Sequence, residues 1–155
     1  MNLIGVHPDL KKIVEYAISV SEVDFTVIEG RRGQARQKEL LDSGKSTTLN
    51  SRHLTGHAVD IAPYVKGSIV WDLALCAKVA EAIRHASKEF GAPITWGGAW
   101  DIELQNISNY PYDAIFDYIS RRNKLAKRAF IDAVHFELPW DAYPLDDLNK
   151  APQRC

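Results

Sequence analysis

Apolar residues recur at Leu10, Ile13, Val14, Ala17 and Ile18 behind Pro8, so the spacing predicts an amphipathic helix over 8–21. Residues 24–29 follow with Phe25, Val27 and Ile28, the aromatic and β-branched composition of a strand, and stop at Gly30. Gly30-Arg31-Arg32-Gly33 reads as a turn carrying two guanidinium groups, residues 34–41 as a short helix ended by Asp42-Ser43-Gly44, and residues 45–50 as a polar connection. Residues 58–62 have the composition of a buried strand, with Pro63 closing it. The strongest helical pattern runs over 72–90, with Leu75, Cys76, Val79, Ala82, Ile83, Ala86 and Phe90 on one face and Gly91 and Pro93 past its end. A strand is expected at 94–96, a helix over 111–129 through Ile115, Tyr118, Ile119 and Leu125, and a last short strand at 133–138; beyond Pro139 periodicity is lost. Helices and strands alternate irregularly and nothing repeats. The expectation is one α+β domain over 1–155, a small mainly antiparallel sheet with helices packed on it.

Composition narrows the function. A length of 155 residues suits one core that needs no disulfides, and 46% hydrophobic against 25% charged residues is ordinary for a globular protein. The formal net charge of −1 lacks the basic footprint of a nucleic-acid binder, and Arg121, Arg122, Lys124, Lys127 and Arg128 read as the wet face of a helix. Cys76 and Cys155 make neither a thiolate metal site nor a disulfide framework. The N-terminus lacks the basic start and apolar run of a secretory signal, and no stretch is long enough to span a bilayer. Cytoplasmic synthesis without a signal peptide or membrane insertion is therefore expected.

Chemistry concentrates in Ser51-Arg52-His53-Leu54-Thr55-Gly56-His57-Ala58-Val59-Asp60 and in Asp132-Ala133-Val134-His135-Phe136-Glu137. Imidazole and carboxylate are the ligands of a catalytic zinc ion that keeps one position for water. Strand alternation puts Ala58, Asp60 and Ala62 on one face, so Asp60 has room for an ion, while His57 shares a face with Val59 and suits the core or a place behind the ligands. Gly56 allows a turn that returns His53 toward Asp60, and His135 completes the set if the two strands are neighbours. A general base is then required. Glu137 shares a strand face with His135, whereas Asp132 needs a bend in the chain. Arg32, or less favourably Arg31, could steady an oxyanion or hold a substrate carboxylate. Plainer readings stand beside these. His7 and His85 fit structural roles, Gly97-Gly98 between Trp96 and Trp100 fits a tight turn packed by aromatics, and Asp141, Asp146 and Asp147 fit solvated charges. Gly44-Lys45-Ser46 is not a phosphate loop, because Glu39 stands where that loop needs glycine.

Ser51-x-His53-x-x-Gly56-x-Ala58-x-Asp60 followed by Asp132-x-x-His135 resembles the signature of the zinc D-alanyl-D-alanine peptidases. Glu29-Gly30-Arg31-Arg32 with Gln37 resembles their upstream arginine element, and Trp96-Gly97-Gly98 their Trp-Gly-Gly segment. The short length, the Val6-His7-Pro8 start and residues 36–40 look most like the phage endolysins that are L-alanyl-D-glutamate endopeptidases. The resemblance implies a hedgehog and D-Ala-D-Ala peptidase-like fold, Zn²⁺ on His53, Asp60 and His135, Asp132 as the base and Arg32 as the stabilising cation. Choosing Asp132 over Glu137 implies a bend between Asp132 and His135.

The resemblance further implies a soluble zinc peptidase, monomeric, that cuts the stem peptide of bacterial peptidoglycan during host lysis, reaching the wall after a separate protein permeabilises the membrane. A D-alanyl-D-alanine carboxypeptidase or dipeptidase is the alternative bond specificity, and a non-catalytic zinc-containing wall-binding module the alternative class. No separate wall-binding domain is recognisable. Residues 101–130 align with nothing of known role and are expected to form a substrate-side loop with a helix.

Overall fold

The structure, a computed structural model, describes residues 2–46 and 51–144. An antiparallel sheet carries the fold, with β1 (Phe25–Glu29), β2 (Ala58–Val65), β5 (His135–Glu137) and β4 (Thr95–Trp96) side by side in that order, and β3 (Ser68–Ile69) pairs with the far end of β2. On one face of β2 stand Val59 and Ile61, which meet Val27 of β1 and Phe136 of β5 in one apolar core with α1 (Pro8–Val20) and α3 (Leu73–Phe90). Both helices begin as their sequence dictates. Pro8 opens α1, and the Asp72 carboxylate caps α3 by accepting from Leu75 N–H at 2.9 Å. Gly91, at φ 62°, ends α3 in the left-handed conformation that glycine adopts most readily.

Several expected boundaries move. Pro63 does not end β2. Its ring has no N–H to lose from the ladder, its carbonyl accepts from Val70, and the strand continues to Val65. Lys66 and Gly67, both with positive φ, then turn the chain into β3, a hairpin that the Val65-Lys66-Gly67-Ser68 sequence permits and the strand composition alone does not show. The short helix expected after β1 is α2 (Gln34–Asp42), and the fourth helix, α4 (Pro111–Lys124), is shorter than expected. Ala126 takes φ 53°, the amides of Leu125, Ala126 and Lys127 cap the last carbonyls, and Leu125 is exposed rather than packed. α4 rests on α3 through Ala114, Ile115 and Tyr118, and Arg84 of α3 donates to the carbonyls of Ile107 and Asn109. Most of 101–130 is thus a structural layer, and Phe130 is the residue of that stretch that lines the cleft over β2 and β5.

Among the described residues, no helix is long and apolar enough to cross a membrane. The expectations for Asp146, Asp147 and Cys155, and for residues 47–50 of the polar connection, lie outside the described residues.

Candidate metal centre

Register places the ligand-type residues together. β2 and β5 pair with Asp60 opposite His135 and Ala58 opposite Glu137, so all four side chains share the face opposite the core. His53 arrives from a single 3₁₀ turn, Arg52–Thr55, capped by the Ser51 hydroxyl, which accepts from His53 N–H. Gly56 closes that turn at φ 74°, and a β-carbon there would lie 2.1 Å from the Gly5 carbonyl oxygen. The motif glycine therefore lets the N-terminal strip pass, and His7 N–H bonds to the Gly56 carbonyl at 2.7 Å.

The donor atoms converge. His53 Nε2 lies 3.2 Å and His135 Nδ1 3.0 Å from the same Asp60 oxygen, Oδ1, and one ligand atom of each residue falls within 4.8 Å of the others. Tetrahedral coordination at about 2.0–2.1 Å puts two donor atoms about 3.4 Å apart, so this spacing fits a zinc ion with little movement. The outer nitrogens are also engaged. His53 Nδ1–H donates to the Gly30 carbonyl at 2.8 Å, and His135 Nε2–H to Glu137 at 2.9 Å. Each hydrogen bond turns the opposite nitrogen toward Asp60, as ligand histidines require. His53 and His135 are buried.

Electrostatics agree with a cation site. Burial works against the charge of Asp60, but hydrogen bonds from His135 and His53 outweigh it and hold the carboxyl well below the usual carboxylate range. His135 is buried too, yet its contacts with Asp60 and Glu137 push its pKa up to about 10, so the ion-free ring carries a proton that a metal would replace.

Asp132 lines the same cleft, and burial first, then the Asp60 charge, raises its pKa. It gets there by the bend that the resemblance implies. Residues 133 and 134 form a turn closed by His135 N–H on the Asp132 carbonyl at 3.0 Å, which shortens β5 to three residues. Asp132 N–H donates to the Gly97 carbonyl and Gly97 N–H to the His135 carbonyl, each at 2.9 Å. A β-carbon at 97 would lie 2.1 Å from the Asp132 carbonyl oxygen, so glycine is what lets the two segments meet. The Trp-Gly-Gly turn is packed by aromatics as well. Trp96 is fully buried, and its indole N–H bonds to the Ala133 carbonyl at 2.8 Å.

Arg32 borders the cleft in a restrained position. Its Nε and Nη2 donate to the two Glu29 oxygens at 2.8 and 2.7 Å, and Nη1 donates to Gln37 at 2.6 Å. Three of the five N–H groups are thus used, and Nη2 stands 3.9 Å from Asp60 Oδ2. Gln37 passes the chain on to Ser46 at 2.9 Å. Arg31 is exposed, outside this cleft, beside Gly5. His57 is buried against the rings of His7 and Tyr143, with Thr55 Oγ1 2.7 Å from its Nδ1, and His85 stacks on Tyr16. Asp141 bonds to the amide of Ala142. Burial pushes the Cys76 thiol up to about 11, away from reactivity.

Other contributors carry weaker signals in the chain. Lys45 and Ser46, set aside as a nucleotide motif, line the cleft. Trp100, Phe130 and Trp140 line it as well, Trp100 stacked on Phe130 and tilted over His135 at 5.3 Å. Arg52, an unspecified position in the motif, is buried and donates to the carbonyls of Leu138 and Tyr143 with its guanidinium 4.2 Å from the Trp140 ring. A buried arginine beside a candidate ligand histidine was the available sign of a clamp, but its target lies 86 residues away.

Residues 1–139 match the family model described as phage L-alanyl-D-glutamate peptidase. Over 140 residues the chain is 34% identical to the L-alanyl-D-glutamate peptidase of Escherichia phage T5, covering 88% of this chain and 90% of that protein. The crystal structure of the Serratia marcescens L-Ala D-Glu endopeptidase ChiX superposes with a TM-score of 0.70 at 37% identity, covering 92% of this chain and 87% of the other.

Proposed function

The chain belongs to the phage L-alanyl-D-glutamate peptidase family, and on that premise we propose that it is a zinc endopeptidase that hydrolyses the L-alanyl-D-glutamate amide of peptidoglycan stem peptides during phage lysis. The observation that carries the metal assignment is the convergence of His53 Nε2, Asp60 and His135 Nδ1 on one point of the cleft. Zinc held there would polarise the scissile carbonyl and acidify water.

The remaining work falls to side chains of the cleft. Asp132, held in a half-buried position beside the ligand-type residues, takes the proton of the attacking water and passes one to the leaving amine. Arg32, oriented by Glu29 and Gln37, uses its remaining N–H groups on the developing oxyanion or on a substrate carboxylate. Trp100, Phe130 and Trp140 give the cleft apolar walls beside the reacting groups. The protein acts as a single catalytic domain and as a monomer, and reaches the wall once a separate protein has permeabilised the membrane.

Digestion of purified peptidoglycan, with identification of the new amino termini and metal analysis of the same preparation, tests this reading. A new D-glutamate amine from a preparation with one zinc per chain is expected. Release of free D-alanine would overturn the bond assignment, and a fully active preparation free of metal would overturn the mechanism.

A further inference from the structure

Glu137 is left without a catalytic task once Asp132 is the base, yet it is among the best-placed carboxylates in the cleft. It follows His135 by two on the same face of β5, its cross-strand partner on β2 is the small Ala58, and its side chain is only 14% exposed. Its Oε2 sits 2.9 Å from His135 Nε2. The two ligand histidines are thus held differently. His53 points Nε2 inward and gives its Nδ1 proton to a neutral carbonyl, whereas His135 points Nδ1 inward and gives its Nε2 proton to a carboxylate.

We propose that Glu137 is the positioning residue of the metal site: it fixes the Nε2–H tautomer of His135, presents the Nδ1 lone pair to the ion and makes this imidazole the more strongly donating of the two. The inference rests on the zinc reading of the site. A carbonyl can orient a ring, but a carboxylate also stabilises the positive charge that an imidazole takes on when it donates to a cation, so losing it weakens the metal as well as the geometry. Arg52 makes the arrangement tenable. Its buried guanidinium bonds to main-chain carbonyls and not to Glu137, yet it stands close enough for the two charges to favour each other, leaving the carboxylate for the histidine.

The test compares wild type with Glu137→Ala, Glu137→Gln and Glu137→Asp, measuring the zinc dissociation constant by competition with a chelator and the His135 ring-nitrogen shifts in the zinc-loaded protein. Alanine should weaken zinc by about 10–100-fold and lose the single Nε2–H tautomer. Glutamine, whose carbonyl can still accept the proton but carries no charge, should restore the single tautomer while leaving zinc weaker than in wild type. Aspartate, one methylene too short to reach, should behave like alanine, which keeps the comparison informative if the alanine protein folds poorly. Unchanged zinc affinity in alanine and aspartate overturns the inference, and if activity also vanishes there, Glu137 is itself the base. A wild-type protein that binds no zinc takes down the metal reading and this inference together, which separates the two failures.

Discussion

The wall of the cleft that carries His135 and Asp132 is held by main-chain hydrogen bonds, whereas the wall that carries Arg32 is held by side chains. On the first, β2, β5 and the Trp96-Gly97 turn form a continuous ladder whose other face is buried core, with Phe136 and Trp96 stacked at 6.4 Å. On the second, Glu29, Arg32, Gln37 and Ser46 pass contacts from one side chain to the next, and Glu29 is 25% exposed. A backbone ladder over a packed core fixes atoms whatever the pH or salt, while a chain of charged side chains is adjustable and screened. The first wall therefore suits metal ligands and a base, and the second suits a group that has to meet a substrate.

Substitutions can break that contrast. The largest effect should come from His53→Ala, which removes a proposed ligand: zinc should be lost, and cell-wall hydrolysis should fall by about 10⁴-fold or more. Unchanged zinc content would remove His53 from the ligand set. Asp132→Asn should keep zinc yet lower kcat by about 10²–10⁴-fold. Since burial raises the folded pKa of Asp132, the folded state is penalised wherever this group is ionised, and the penalty is relieved as pH falls through the raised pKa. Asparagine removes that penalty at neutral pH, so the Tm of the metal-free protein should rise, not fall. In wild type kcat/KM should fall on the acid side as the base is protonated, and Asp132→Asn should lose that limb. An acid limb that survives in Asp132→Asn would show that a different group is the base.

Gly97→Ala tests the ladder wall without touching a reacting group. The added carbon drives against the Asp132 carbonyl, so the base should shift while His53 and Asp60 stay, giving retained zinc and a kcat lower by about 10²-fold. Equal loss of zinc and rate would mean that the wall moves as one body. The smallest effect should come from Glu29→Gln on the other wall. A partly exposed ion pair is worth about 1 kcal/mol or less, so kcat/KM should fall only a few-fold, and added salt should narrow the gap to wild type. A loss as large as that of Gly97→Ala would show that the second wall is as rigid as the first.

Much of this was legible in the chain. Helices with a clear three-and-four period and defined caps, over 8–20 and 73–90, are local properties and lie where the pattern puts them. His53, Asp60 and His135 stand out because turn chemistry and strand alternation are short-range, and His57 is assigned to the core by the same parity. Other features depended on what lies across the sheet. The β1–β2 register slips between Val27 and Glu29, and the bulge at Ile28 turns Glu29 from the core face, where alternation would place it beside Val27, to the cleft face beside Asp60. Asp132 is similar, because parity favoured Glu137 until the turn at 133–134 and its bonds to Gly97 aimed the aspartate inward.

Local order in the chain was enough to say which residues could bind a cation and which helices and strands would carry them, because ligand chemistry and hydrophobic period are written in neighbouring positions. The task of each group came from the three-dimensional arrangement: Glu137 holding a histidine, Arg32 tied to Glu29, and Arg52 clamping a segment 86 residues away. Those roles are set by strand register, by a bulge and by hydrogen bonds between distant segments, and none of these can be read from neighbouring positions.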